Sequence, residues 1–159
     1  MKNSIGSSVI LTVWGESHGP AVGVVLDGLC PGIPVDEAYI AEQLARRRPA
    51  GPADTARVEP DRFQLLSGVY RGRTTGSPLT ILIPNENVRS ADYAAQERLA
   101  RPSHADFSAQ MKYHGFQDPR GGGHFSGRVT AGIVAAGAIC RQALSARGIR
   151  LATHILRLG

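Results

Sequence analysis

Four stretches bring together side chains able to do chemistry. In "GESHG", Glu16, Ser17 and His18 stand between two glycines that let the chain turn tightly. An imidazole there titrates near neutral pH and can serve as general acid or base, the plain alternative being a surface histidine. In "RPSHAD", Arg101 to Asp106, His104 follows an Arg-Pro pair and precedes Asp106. That carboxylate either fixes the imidazole tautomer or, like Ser103, caps a helix. In "RGGGHFSGR", Arg120 to Arg128, three glycines lead through His124, Phe125 and Ser126 into a helix pattern. Bare N–H groups at a helix start suit a phosphate or carboxylate, and a simple hinge would be spelled the same way. In "ARRRPAG", Arg46, Arg47 and Arg48 close a helix. Successive residues fan out by about a hundred degrees, so one or two of them can share a pocket and the rest form a solvated basic end. Neither G-x-G-x-x-G nor a Walker loop is present, and the histidines show no H-E-x-x-H or Cys/His spacing. No metal centre is expected.

The elements that must hold these residues can be read from the pattern. β-Branched runs at "VILTVWG" (Val9–Gly15) and "AVGVVLDG" (Ala21–Gly28) flank the His18 loop as two strands. "PGIP" stops the second. Asp36 then caps a helix reaching about Arg48, with Ile40 and Leu44 on one face and Pro49 ending it. "RFQLLSGVY" and "PLTILIPN" are strands joined by the turn "RGRTTGS". From Val88 to about Asp118 the pattern is polar and irregular, with room for a helical turn or two. A helix is expected from about Ser126 to Arg147, with Gly148 as its stop and "IRLATHIL" starting a further strand. This order predicts an α+β fold, antiparallel sheets packed with helices, in one unit spanning 1–159. Because "THILRLG" ends the chain just where a strand should pair, truncation is expected at the C-terminus.

Composition limits the possible functions. With 159 residues, 42% hydrophobic and 19% charged, the chain can bury one core and is not disordered. The formal net charge is +5, and of 18 basic residues only Lys2 and Lys112 are lysine. Arginine favours bidentate contact with carboxylates and phosphates, so an anionic partner is indicated, although a compositional bias toward arginine would look the same. A basic nucleic-acid-binding module is the competing class. It finds no helix-turn-helix, zinc or RNP pattern here, nor aromatics interleaved with a basic stripe. Cys30 and Cys140 read as buried, reduced thiols of a cytoplasmic protein. Neither a signal peptide nor a membrane span is apparent.

Taken in order, "GESHG", "PGIP", "RRRP", "LSGV", "TTG", "RPSHAD", "KY", "RGGGHFSGR" and "AAGAI" resemble the N-terminal part of chorismate synthase from about Ile5 onward. The resemblance implies that family's β-α-β sandwich. It also implies a lyase that converts 5-enolpyruvylshikimate 3-phosphate to chorismate by 1,4-elimination of phosphate. Such an enzyme needs reduced FMN and is usually a homotetramer, and NADPH is a candidate reductant for the flavin. By the same resemblance His18 would be the general acid at the departing phosphate, with Ser17 beside it, and His104 would sit at the flavin ring. Arg47, Arg101 and Arg128 would clamp the anionic substrate, and His124, Phe125 and Ser126 would contact FMN. Two departures stand out. "HFSGRV" replaces the family's usual "RSSARE", and the segment after "RRRP" is one residue short, putting a second family arginine near Ala53. The resemblance further implies that the longer C-terminal part supplies most flavin contacts, among them a Lys-Pro-Thr-Ser-Ser stretch and an aspartate. An inactive fragment of that enzyme is the alternative reading.

Overall fold

A computed structural model describes residues 2–49, 59–87 and 99–157. The position near Ala53 therefore lies outside the described residues. Among the described residues there are seven strands: β1 Ser4–Ile5, β2 Ile10–Gly15, β3 Ala21–Asp27, β4 Gln64–Ser67, β5 Val69–Tyr70, β6 Arg73–Thr74 and β7 Leu79–Pro84. Three α-helices accompany them: α1 Glu37–Arg46, α2 Asp106–Tyr113 and α3 Thr130–Ser145. Five strands form one sheet in the order β1-β2-β3-β7-β4, with every neighbouring pair antiparallel. The α+β arrangement of antiparallel sheet and helices is thus the one expected.

One face of the sheet makes the core. Val22, Val24 and Leu26 of β3 lie in register with Ile83, Ile81 and Leu79 of β7, and all six are buried. Alternation along the strands sends these residues to the same side. Against them pack Ile40 and Leu44 of α1 and the alanine-rich face of α3, ending in Ile139. Asp36 caps α1 as expected, its Oδ1 accepting from the Tyr39 N–H at 3.1 Å. Gln142 of α3 ties the two helices by accepting from the Asp36 N–H (2.8 Å) and donating to its carbonyl (3.2 Å).

Close approach of α3 to the sheet depends on Gly132. A Cβ there would stand 2.7 Å from Val24 Cγ1 and 3.0 Å from the Gly23 backbone. Gly137, on the exposed side of the same helix, has nothing within 4 Å of that position. Gly132→Ala is therefore expected to destabilise by about 1–3 kcal/mol despite alanine's better helix propensity. Gly137→Ala should stabilise by about 0.5–1 kcal/mol, and paired chemical-denaturation curves check both signs.

Several boundaries differ from the sequence reading. The run "RFQLLSGVY" is two strands, because Gly68 takes φ +79° with its α-carbon against Leu79, where a Cβ would lie 2.4 Å from the Leu79 Cα. β5 and β6 form a separate hairpin whose turn residues Arg71 and Gly72 both have positive φ, the twist such two-residue turns require. Helix α3 begins at Thr130, after an irregular glycine turn at Arg120–Phe125 and a 3₁₀ turn at Gly127–Val129. Gly148 does stop it: it adopts φ +76° while the Ile149 N–H returns to the Leu144 carbonyl at 3.1 Å. "IRLATHIL" is not a strand over its described residues, and its apolar side chains, such as Ile155 and Leu156, are exposed. β1 was not foreseen. Cys30 is exposed rather than buried, whereas Cys140 is half-buried and its thiol pKa is pushed up by that burial.

Candidate active site

The three glycines of the 120–128 segment lie against two histidines. Gly121, Gly122 and Gly123 have φ of +57°, +85° and +53°, conformations that side chains other than glycine rarely adopt. A Cβ on Gly121 would sit 2.5 Å from Nε2 of His18 and 3.2 Å from Oγ of Ser17. One on Gly122 would sit 2.9 Å from Nε2 of His104. Bare backbone thus packs against one imidazole on each of two successive residues. Gly123 completes the join, its carbonyl accepting from the Ser17 N–H at 3.0 Å. Both Ser17 and His18 are buried, though they belong to a loop between β2 and β3.

His104 is held on its other nitrogen. Its Nδ1 lies 2.6 Å from Oδ1 of Asp106. A carboxylate can only accept, so Nδ1 carries the proton and Nε2 is the nitrogen turned toward Gly122. Arg101 grips the same carboxylate through Nε (2.7 Å) and Nη2 (2.8 Å), and its Nη2 lies 3.4 Å from His104 Nε2, the ring nitrogen left able to accept. Chiefly through the Arg101 side-chain hydrogen bonds, Asp106 is held well below the usual carboxylate range. The aspartate therefore orients the histidine; it is the first residue of α2, and neither it nor Ser103 caps that helix by a side-chain hydrogen bond. A folded pKa below the unfolded one contributes stability above the ordinary carboxylate value, and that stability is lost as pH falls through the folded value. The gap in melting temperature between wild type and Asp106→Asn should accordingly be largest near neutrality and narrow below about pH 4.

The arginines are placed differently from one another. Asp61, in a left-handed conformation (φ +50°) with its carboxylate fully buried, pairs with both Arg47 (2.9 Å) and Arg128. Arg128 is itself buried. Besides Asp61 it reaches Oδ1 of Asn85 from Nε (2.9 Å) and the Pro84 carbonyl from Nη2 (3.0 Å). Asn85 in turn donates to the carbonyls of Glu16 (3.0 Å) and Gly19 (2.8 Å), the two ends of the His18 turn. Arg47 keeps part of its side chain in solvent, and Arg101 keeps more. Asp61 and Asn85 escaped sequence reasoning because neither sits in a catalytic-looking motif. Only the strand-end position of Asn85 hinted at it.

His124, Phe125 and Ser126 follow the glycines directly in the chain. His124 Nδ1 is 2.8 Å from the Gly15 carbonyl, which fixes its proton there and pins the end of β2 to the glycine segment. Phe125 meets the His124 ring edge-on and the Tyr113 ring at a tilt. Both line a cleft of about 490 Å³ walled by Trp14 and Tyr113, with Glu16 and Asp118 at its rim. Ser126 is not a lining residue; its Oγ accepts from the Arg128 N–H at 3.3 Å. The Arg120 side chain pairs with Asp118 at 2.7 Å and, with a smaller contribution from the charge of His18, lowers its pKa. With no lysine or arginine among the described residues of its lining, the cleft suits a planar, weakly charged ring better than a phosphate.

A protein-family model described as chorismate synthase matches residues 9–159. Among curated relatives, the chorismate synthase of Aeropyrum pernix is 48% identical over 158 residues, covering 99% of this chain and 42% of that protein. That of Pyrococcus abyssi is 46% identical over 154 residues, covering 97% and 43%. A solved structure titled "Crystal Structure of Chorismate Synthase" superposes with a TM-score of 0.63 at 32% identity, over 89% of this chain and 35% of the other. The chain thus spans less than half the length of the relatives it matches.

Proposed function

The chain belongs to the chorismate synthase family, and we propose that it is the N-terminal part of a lyase that eliminates phosphate from 5-enolpyruvylshikimate 3-phosphate to give chorismate. The observation that carries this reading is the glycine segment lying against both His18 and His104. A 1,4-elimination needs a proton for a departing phosphate and control of protonation at the other end of the reacting system. Two imidazoles separated by bare backbone meet that need.

In this reading His18, buried beside Ser17, protonates the departing phosphate. Arg101 and the exposed part of Arg47 bind the substrate's anionic groups. Arg128 has all three nitrogens engaged within the protein, so its proposed contribution is to hold the site and to lend positive charge across a short distance. Bound reduced FMN would supply an electron-rich ring. The aromatic walls of the Trp14 cleft fit the face of that ring, with His124 and Phe125 beside it and His104 presenting Nε2, while the cation-free lining leaves the flavin's phosphate to another part of the protein. Ser126 serves this arrangement by capping the turn that carries Arg128. We further propose a cytoplasmic homotetramer as the working form, with NADPH as one source of reducing equivalents for the flavin. Among the described residues no helix is long and apolar enough to cross a membrane.

An anaerobic assay with reduced FMN and the enolpyruvyl phosphate substrate tests the reading. Turnover is expected from the chain joined to the remaining length of a family member and none from these 159 residues alone. Robust turnover by the chain alone would overturn its assignment as one part of the site.

A further inference from the structure

We infer that Asn85 and Asp61 are positioning residues for His18, acting through a buried chain of contacts that runs Arg47–Asp61–Arg128–Asn85 and ends on the two carbonyls of the His18 turn. Asn85 is used on every side. Its Oδ1 accepts from Arg128, its Nδ2 donates to Glu16 and Gly19, and its own N–H donates to the Pro20 carbonyl at 3.0 Å. It therefore grips the loop at both ends while its own backbone continues directly from β7. Asp61 fixes the other end. Its two oxygens hold Arg47 and Arg128 apart and in place, and its carboxylate has no exposed surface.

The energetics favour a rigid arrangement. A buried carboxylate between two guanidinium groups stays in place only with its hydrogen bonds satisfied, and removing one partner strands the rest. Asn85 acts on the chemistry through the turn that carries His18, whereas Asp61 acts both through that chain and through its hold on Arg47. His104 is held by a separate set, Arg101 and Asp106, and should not sense them.

The inference rests on the proposed role of His18, and the test separates the two. Asn85→Asp keeps the shape and the acceptor for Arg128 but sets a carboxylate oxygen against the Glu16 and Gly19 carbonyls. In the full-length enzyme carrying this chain, turnover should fall by about a hundredfold while KM stays within about threefold. The ring NMR signals of His18 should shift and those of His104 should not. Asp61→Asn should shift the His18 signals in the same direction more weakly, with KM rising as well because Arg47 loses its partner, and Asn85→Ala, which adds no charge, serves if Asn85→Asp fails to fold. Unmoved His18 signals, or equal movement of both histidines, would overturn the inference. If the unaltered enzyme shows no lyase activity, the proposed reaction fails, and the two sets of ring signals still decide whether Asn85 and Asp61 place His18.

Discussion

Gly121→Ala is expected to push His18 out of its position and to destabilise the protein by about 2 kcal/mol or more, from left-handed strain alone before any overlap is counted. The overlap is severe. The new methyl would fall 2.4 Å from Cδ2 and 2.5 Å from Nε2 of a buried imidazole, with Ser17 Oγ a further 0.7 Å beyond the latter at 3.2 Å. Asn85 braces the backbone of the turn through the Glu16 and Gly19 carbonyls, so the overlap can be relieved only by turning the buried His18 ring out of its position or by breaking those hydrogen bonds. Gly127, six residues on, is the matched control: a Cβ there meets nothing within 4 Å, and its φ is not positive. Denaturation curves should separate the two alanines clearly, and the His18 ring signals should move only in Gly121→Ala.

Arg128→Met is expected to cost about 3–5 kcal/mol, the usual penalty for breaking a buried ion pair from one side. The thioether fills much of the same volume, so the loss is electrostatic rather than a cavity effect. Three acceptors are stranded together: one oxygen of Asp61, Oδ1 of Asn85 and the Pro84 carbonyl. Arg128→Lys should recover only a fraction, because one ammonium cannot meet three acceptors laid out for a planar fork. Thermal melts of the three proteins give the ranking directly. Equal melting temperatures for wild type and Arg128→Met would show that the buried network contributes nothing net.

Much of the fold was legible in the sequence where local physics is strong. The β-branched runs of β2, β3 and β7 alternate cleanly, and Asp36 and Gly148 mark helix ends by chemistry that needs no tertiary context. β1 and the break at Gly68 were not legible, because a two-residue strand has no period and a close approach to Leu79 is a fact about another strand. At the site, His18, His104 and the glycines announced themselves by type. What the spacing could not say was that residues more than a hundred positions apart meet, so the glycines read equally well as an anion-binding turn or a hinge. In the structure they have positive φ values and lie against the two imidazoles. The same limit hid Asp61 and Asn85, whose importance lies wholly in long-range partners.

The central claim is the proposal that His18, as general acid at the departing phosphate, and His104, beside the flavin ring, both act from positions against the glycine segment of a phosphate-eliminating lyase. Phosphate release under anaerobic conditions with reduced FMN, by the full-length enzyme carrying this chain, tests it most directly when His18→Ala and His104→Ala are compared with His154→Ala at an exposed position. Each of the first two should lose about 10²–10⁴-fold in turnover, the usual contribution of a positioned general acid or base, with His154→Ala unchanged. Wild-type turnover in either His18→Ala or His104→Ala would contradict it.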